Sequence, residues 1–277
     1  MKKRERQLPP PWYPDDPGEI SRFLEGFPRG QAVAAISPHA GWYYSGKIAA
    51  RAVSSLKEDV QTVVVIGGHV PRAYPILFAP EDTVSTPFGD MEIDDELRRA
   101  LIRETDEPLV RGAEDRYSDN TVEVLLPMVR FFIPGARLLW LRFPAEISSC
   151  NTGKILAAAA GKLGRSIAVL ASADLTHYGP NYGFTPKGTG PEALQWVREI
   201  NDRRFIEAVE AGDPAAVLLR AEKEHSSCSA GSVLGAMGFS AAMNSGPARL
   251  LEYGTSTDVS DDISDSFVGY AAIKFEG

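Results

Sequence analysis

Short apolar runs alternate along the chain with longer segments in which apolar residues recur at helical spacing. Continuous apolar runs that end at turn residues predict strands buried on both faces. The predicted strands are 32–36, 63–66, 76–79, 137–143, 167–171, 248–253 and 267–273. The predicted helices are one from an N-cap at Ser45 to Leu56, and 94–103, 121–132, 151–163, 191–211, 214–222 and 230–244. This alternation indicates an α/β fold with a central, mostly parallel or mixed sheet that helices cover.

The first 30 residues form a proline-rich N-terminal segment. Five prolines fall between positions 9 and 17. Proline in a helix interior removes a hydrogen bond and clashes with the preceding turn, so no helix is predicted here. Ordered structure is expected to start near Ala32.

Three of the four histidines follow predicted strands. His39 comes after strand 32–36, His69 after strand 63–66, and His177 after strand 167–171. Ligands of open α/β sheets bind beyond the carboxyl ends of the strands, so three parallel neighbours would bring these imidazoles to one crevice. A single histidine in such a place is more often a surface residue or a hydrogen-bonded core residue, and this alternative stays open for each.

Cys228 and Asp174 are further candidates for chemistry. Cys228 stands just before a predicted helix, with His225 nearby, and a helix N-terminus favours the thiolate. A thiolate with two imidazoles suits Zn, Fe(II) or Cu, whereas a lone cysteine is commonly a small buried apolar residue. Asp174 and His177 have the spacing of one helical turn, which suits general acid–base work or a structural hydrogen bond.

Composition narrows the classes of function. The chain has 277 residues, with 29 Lys and Arg against 37 Asp and Glu, a formal net charge of −8. Binding to nucleic acid or to an anionic membrane needs clustered positive charge, so neither partner is expected. No apolar run approaches the length of a membrane span. The basic N-terminus is not followed by an apolar region, so no secretory signal is predicted. Two cysteines are too few for a disulfide framework in a chain of this size. A cytoplasmic location is expected.

Four sequence blocks together resemble the Memo family, called AmmeMemoRadiSam system protein B in prokaryotes. The first three are Trp12-Tyr13-Pro14, Pro38-His39-Ala40-Gly41-Trp42-Tyr43-Tyr44-Ser45-Gly46 and Ala173-Asp174-Leu175-Thr176-His177-Tyr178-Gly179. The fourth is a C-terminal signature made of Tyr253-Gly254-Thr255-Ser256, Asp258-Val259-Ser260 and Val268-Gly269-Tyr270-Ala271-Ala272. The resemblance runs almost end to end, so it implies a single Memo-like domain over residues 1–277. It also implies a fold similar to the LigB-like class III extradiol dioxygenases.

The resemblance further implies a set of site residues. By its motifs the metal ligands are His39, His69 and Cys228, where the dioxygenases have two His and one Glu. Asp174 and His177 carry over as catalytic residues beside the metal. The residues that it implies for substrate binding are Trp12, Tyr13, Trp42 and Glu123. Fe(II) is the expected metal, with Cu or Zn as alternatives.

One departure from the family pattern concerns the reaction. The family's Glu-His-Ser-x-Glu segment reads Asp119-Asn120-Thr121-Val122-Glu123 here, so Asn120 replaces a histidine. An asparagine side chain does not exchange a proton near neutral pH, so an acid–base role of that histidine is lost.

Three functions are therefore open. The first is metal-dependent redox or oxygenase-type chemistry. The second is a non-catalytic module that binds a peptide or small molecule on a dioxygenase-like fold. The third is a cysteine hydrolase with Cys228, His177 and Asp174 as its triad, although no sequence feature supplies the oxyanion donors that it needs. The family name in prokaryotes also implies AMMECR-like and radical-SAM proteins as partners.

Overall fold

The computed structural model describes residues 2–105, 112–259 and 264–277. Its strands are β1 (Lys3–Arg4), β2 (Ala34–Ser37), β3 (Thr62–Val70), β4 (Leu77–Phe78), β5 (Thr83–Val84), β6 (Met91–Glu92), β7 (Ala113–Glu114), β8 (Arg137–Pro144), β9 (Ile167–Ser172), β10 (His177–Tyr178), β11 (Ala248–Thr255) and β12 (Phe267–Phe275). Its α-helices are α1 (Pro17–Leu24), α2 (Trp42–Ser54), α3 (Asp95–Glu104), α4 (Asn120–Glu123), α5 (Leu126–Phe132), α6 (Ser148–Lys162), α7 (Pro191–Trp196), α8 (Asp202–Glu210), α9 (Pro214–Glu224) and α10 (Ala230–Ala242).

The central sheet is mixed. Its strand order is β10-β12-β2-β9-β3-β8-β4-β7, and β11 also pairs with β12. Strands β2, β9, β3 and β8 are parallel neighbours, whereas β12 runs antiparallel to β2. A smaller sheet joins β1, β5 and β6. The predicted fold class, a single α/β domain with a mixed sheet flanked by helices, is confirmed.

Alternate residues of the inner strands point to opposite faces of the sheet, and each face has its own apolar core. In β3, Val63 and Val65 join one core, and Val64 and Ile66 join the other. Helices α1, α2 and α5 cover the first face, and α3, α6, α8, α9 and α10 cover the second. A strand covered on both faces reads as a continuous apolar run, which explains why these segments are predictable from sequence.

The N-terminal segment differs from the prediction. Strand β1 lies at Lys3–Arg4 and α1 begins at Pro17, both well before Ala32. Proline is compatible with the first helical turn, because the first backbone N–H groups of a helix have no partner within it. The Asp16 side chain caps the helix by accepting from the Glu19 N–H, and Ile20 and Leu24 are buried.

Three predicted helices have different bounds. Helix α2 starts at Trp42 with Gly41 as its N-cap, so Ser45 lies inside the helix and its Oγ donates to the Ala40 carbonyl. The predicted helix 121–132 is two helices, with Pro127 in the first turn of the second. The predicted helix 191–211 is interrupted by a π-helical turn at Val197–Asn201.

In the described part of the chain, no helix is both long enough and apolar enough to cross a membrane.

Candidate metal centre

Neighbouring parallel strands bring the predicted histidines together. His39 follows β2, His177 follows β9 after a short turn, and β9 lies between β2 and β3 in the sheet. His69 lies within the carboxyl end of β3 rather than after it. The rings of His39 and His69 meet edge to face, with their centroids 5.0 Å apart.

His69 reaches the site because β3 is irregular there. The pairing of β3 with β8 shifts register between Gly67 and Val70, and His69 has a φ of 56°. Such bulges re-aim side chains and are common beside functional sites. Gly68 is required for a close approach, because a Cβ at this position would lie 2.1 Å from Ser229 Oγ.

Cys228 lies two residues before the start of α10. Its backbone N–H donates to the Asp174 carbonyl at 3.2 Å, and the Ser227 hydroxyl donates to the same oxygen at 3.1 Å. These bonds tie the cysteine segment to the turn that follows β9. Cys228 Sγ lies 3.4 Å from His39 Nε2. His39, His69 and Cys228 can each offer one ligand atom, and the three atoms lie within 4.8 Å of one another.

Hydrogen bonds orient both candidate histidine ligands. His39 Nδ1 lies 2.8 Å from Ser172 Oγ, and His69 Nδ1 lies 3.1 Å from Asp119 Oδ2. Metal-binding histidines are commonly held through the ring nitrogen that does not touch the metal, so this arrangement leaves both Nε2 atoms for coordination. Two imidazoles and a thiolate form a donor set for a transition metal, and the residues present therefore fit a metal ion.

The charges of these side chains are strongly coupled. Burial alone would raise the pKa of the Cys228 thiol, but the surrounding histidines hold that pKa well below its usual value. Burial opposes the imidazolium forms. Asp119 and Cys228 nevertheless raise the pKa of His69 to about 10, and Asp174 and Cys228 raise the pKa of His177 to about 10. A thiolate is thus balanced by protonated imidazoles, and a bound cation would take the place of protons.

Asp174 and His177 lie beside the cluster. Asp174 Oδ1 accepts from the His39 backbone N–H at 2.7 Å, and Asp174 Oδ2 lies 3.7 Å from His39 Nε2 and 3.8 Å from His177 Nε2. His177 Nε2 makes no hydrogen bond with any described residue, although it is buried. The His177 ring therefore has a polar atom to offer to a bound molecule.

A cavity of about 760 Å³ opens over the cluster. His39, His69, Asp174 and His177 lie in its floor and walls. Its aromatic lining residues are Trp12, Tyr43, Tyr44, Tyr182 and Tyr270. Tyr43, Tyr44 and Tyr182 are about half exposed or more, so they stand at the mouth of the cavity. Its size suits a small molecule or a short stretch of peptide.

The structure does not bring Tyr13, Trp42 or Glu123 into the lining of this cavity. The buried Glu123 carboxylate accepts from the backbone N–H groups of Gln7 and Leu8 and from the Tyr13 hydroxyl. Trp42 Nε1 donates to the Val124 carbonyl. The Glu123 bonds hold the N-terminal segment in place, and the Trp42 ring packs against Tyr13 and Phe23 of that segment. Among the four predicted substrate contacts, only Trp12 lines the cavity.

The sequence did not predict Ser172, Asp119, Tyr43 or Tyr44 as residues of the site. Ser172 and Asp119 orient the histidines, and no periodicity marks either residue. Tyr43 and Tyr44 belong to the sequence block from Pro38 to Gly46, and that block was a signal for them. Asn120 lines the cavity, and its Nδ2 donates to the His39 carbonyl at 2.9 Å. At this position the side chain supports a candidate ligand by holding its backbone.

The backbone amides of Cys228 and Ser229 show whether oxyanion donors are available for the cysteine-hydrolase alternative. The Cys228 N–H already donates to Asp174, and the Ser229 N–H donates to Ser227 Oγ at 3.4 Å. An oxyanion hole needs donors that are free to point at the developing charge. Neither of these two amides is free in this conformation.

A buried carboxylate supports the turn between Asp174 and His177. Asp202 Oδ1 accepts from the backbone N–H and the hydroxyl of Thr176, and Asp202 Oδ2 accepts from the Tyr253 hydroxyl at 2.8 Å. Burial raises the pKa of Asp202 from 3.8 to about 7, and these hydrogen bonds offset only part of that effect.

Asp202→Asn is expected to make the free energy of unfolding less dependent on pH. Because the pKa of Asp202 is higher in the folded state, this group stabilises the fold fully below pH 3.8 and loses that contribution as pH rises to about 7. The change corresponds to about 4 kcal/mol at most. Asparagine keeps an acceptor for Thr176 and can donate to Tyr253. In urea unfolding, the free energy of unfolding of Asp202→Asn should rise relative to that of wild type as the pH increases from about 4 to 8. The same pH dependence in both proteins would contradict this prediction.

The fold and the site define a class of protein, an α/β domain with a candidate His/His/Cys metal centre at the carboxyl ends of its strands. The family model described as Memo-like protein matches residues 4–274. The chain therefore belongs to the Memo-like family, as its motifs predicted.

Relatives in archaea agree with this assignment. A MEMO1 family protein of Pyrococcus abyssi is 32% identical over 251 residues, covering 87% of this chain and 85% of the relative. A MEMO1 family protein of Thermococcus onnurineus is 31% identical over 283 residues, covering 95% and 96%. Among solved structures, an uncharacterized protein of Escherichia coli K12 has a TM-score of 0.49 and 13% identity, covering 87% of this chain and 99% of that one.

Proposed function

We propose that this chain binds one redox-active metal ion through His39 Nε2, His69 Nε2 and Cys228 Sγ, and that it uses the ion for redox or oxygenase-type chemistry. The observation that carries the proposal is the convergence of His39, His69 and Cys228, each of which offers one ligand atom within 4.8 Å of the other two. Three protein ligands are typical of catalytic metal sites, which keep a position open, rather than of closed structural sites.

Fe(II) is the metal that we propose, and Cu and Zn are the alternatives. The resemblance to extradiol dioxygenases supports Fe(II), and the thiolate in the donor set is compatible with all three ions. When bound, Fe or Cu would supply electron transfer and Lewis acidity to a molecule in the cavity, whereas Zn would supply Lewis acidity alone.

The chain's own residues would perform the remaining tasks. The Asp174–His177 pair would hold and deliver a proton at His177 Nε2, which is buried and has no hydrogen-bond partner among the described residues. Trp12 and the tyrosines at the mouth would pack against the substrate and exclude water. Ser172 and Asp119 would keep the histidine rings in their ligating orientation. We place this activity in the cytoplasm, and the prokaryotic family name supports AMMECR-like and radical-SAM proteins as partners.

A second candidate function is a binding module without turnover. Asn120 supports it, because an asparagine that donates to the His39 carbonyl cannot exchange protons with a substrate in the cavity. Oxygen consumption and catechol cleavage by the unmodified protein would exclude a pure binding role. Activity that appears only after Asn120→His would favour the binding module for the natural chain.

Metal analysis of anaerobically purified protein tests the proposed function. We expect about one metal ion per chain, as for a three-ligand site with an open position. Protein without metal that also fails to bind added Fe(II), Cu or Zn would contradict the proposal. Spectroscopy of the purified protein would identify the ion.

Labelling with a thiol electrophile separates the metal proposal from the hydrolase alternative. Cys228 should react before Cys150 in metal-free protein, because histidines lower the pKa of Cys228 whereas burial raises the pKa of the Cys150 thiol. Under the metal proposal, added metal protects Cys228 and leaves Cys150 unchanged. Labelling of Cys228 that metal does not affect would favour a cysteine nucleophile.

A further inference from the structure

Arg142 makes contact with both the backbone and the side-chain support of His69. It lies on β8, next to the irregular end of β3, and its side chain is only 6% exposed. Its Nε donates to the Gly68 carbonyl at 2.9 Å, and its Nη2 lies 3.5 Å from the His69 carbonyl. The register shift at Gly67–Val70 interrupts the regular ladder there, and the guanidinium engages two carbonyls of the bulge.

The same guanidinium also holds the carboxylate that orients the His69 ring. Arg142 Nη2 lies 3.2 Å from Asp119 Oδ2, the oxygen that lies 3.1 Å from His69 Nδ1. Asp119 Oδ1 is occupied by the backbone N–H and hydroxyl of Thr121. Asp119 therefore has one oxygen for the helix cap and one for the pair of Arg142 and His69.

A buried carboxylate on the far side balances the charge of Arg142. Asp115 is fully buried, its Oδ1 accepts from Arg142 Nη1 at 3.1 Å, and its Oδ2 accepts from Trp140 Nε1 at 2.9 Å. The Arg4 side chain donates to the Asp115 carbonyl at 2.6 Å. The Arg142 guanidinium is planar and has five donors in a fixed fork, so it can contact the two bulge carbonyls, Asp119 and Asp115 at once. A lysine ammonium cannot make all four of these contacts.

We propose that Arg142 is a positioning residue of the metal centre, fixing His69 through the Gly68 and His69 carbonyls and through Asp119. This inference rests on the proposed function, because it concerns how a ligand of that site is held. The left-handed backbone of His69 is unusual for a residue with a side chain, and such conformations persist where the surroundings impose them. Arg142 is the group that connects the bulge, the orienting carboxylate and the buried counter-charge.

Co(II) titration of Arg142→Lys tests the inference, with the d–d absorption of Co(II) as the readout. The variant keeps the positive charge and loses the fork. Loss of a partner outside the ligand shell commonly weakens metal binding by about 10–100-fold, and we expect a loss in that range. The Co(II) ligand-field bands should shift, whereas absorption from thiolate coordination should remain because Cys228 is unchanged.

Arg165→Lys is the matched control. Arg165 pairs with the buried Asp94 at 3.1 Å, and its side chain is 13% exposed, so its replacement disturbs a comparable buried ion pair. It precedes the amino end of β9, at the opposite end of that strand from the site. Its Co(II) affinity and spectrum should match those of wild type. Equal losses in Arg142→Lys and Arg165→Lys would show a general effect on stability and overturn the inference.

Asp119→Asn provides a second route if Arg142→Lys does not fold. Asparagine keeps the acceptor for Thr121 and removes the negative charge between Arg142 and His69. We expect a similar loss of affinity in Asp119→Asn alone, which needs no Arg142 variant to fold. Where Arg142→Lys does fold, the double variant should lose little more affinity than either single variant, because both act through one chain of contacts. Additive losses of affinity in the double variant, or wild-type affinity in Asp119→Asn, would overturn the inference about Arg142 but not the proposed metal site. Wild-type protein that binds no Co(II) would overturn the proposed function as well.

Discussion

Cys228→Ala is expected to lower the affinity for the metal on the order of 100–1000-fold. Structural four-ligand sites bind Zn²⁺ with about 10–16 kcal/mol, so one ligand contributes roughly 2.5–4 kcal/mol. Each 1.4 kcal/mol is a factor of about ten in affinity. The variant also removes the thiolate that balances the imidazoles, so the two histidines that remain would hold their protons less tightly. Competition titration with a chromophoric chelator measures the loss.

Cys150→Ala is the control for the loss of a sulfur atom. Cys150 lies in α6, is half-buried and packs against the apolar core on the α6 face of the sheet. Removing its sulfur should leave metal affinity and stoichiometry unchanged. If Cys228→Ala binds the metal as tightly as wild type does, the thiolate is not a ligand, and the site reduces to two histidines with their carboxylate neighbours.

The sequence predicts the sheet well because its inner strands are covered on both faces. Strands β3, β8 and β9 read as continuous apolar runs, and each was predicted within a few residues of its observed bounds. The N-terminal segment was harder to predict, since its order comes from distant contacts rather than from local propensity. Glu123 binds the backbone at Gln7 and Leu8, which lie more than 110 residues earlier in the chain.

The candidate ligands could be predicted, but the atoms that orient them could not. His39, His69 and Cys228 were implied by family motifs, and the strand-end positions of His39 and His69 supported the same crevice. The partnership of His69 with Asp119 depends on the bulge in β3, and Arg142 faces that bulge from a neighbouring strand. Such contacts join residues 50 or more positions apart and follow from register rather than from spacing.

Asn120 stands where the resemblance to the family implies a histidine, and its amide cannot exchange a proton near neutral pH. Its amide donates to the His39 carbonyl, so the position is used to hold the loop that carries a candidate ligand. Proton transfer in the cavity would then depend on the Asp174–His177 pair.

Gly238→Ala is expected to lower the free energy of unfolding by about 3 kcal/mol, at the upper end of the usual range for overpacking a core. Helices α6 and α10 pack closely through glycines, and a Cβ at Gly238 would lie 1.8 Å from the Cys150 carbonyl oxygen. A backbone atom cannot rotate away as a side chain can. Adding the methyl group would therefore force the two helices apart. Urea unfolding of metal-free protein, in which ligand binding does not contribute, measures the loss.

Gly161→Ala is the matched control on the exposed side of α6, where a Cβ would meet nothing within 4 Å. Alanine is favoured over glycine in a helix by up to about 1 kcal/mol, so this variant should be as stable as wild type or slightly more stable. A loss below about 1 kcal/mol in Gly238→Ala would mean that the helices can separate easily. Since Cys228 lies two residues before α10, a large loss would instead show that the candidate ligand directly precedes a rigidly packed helix.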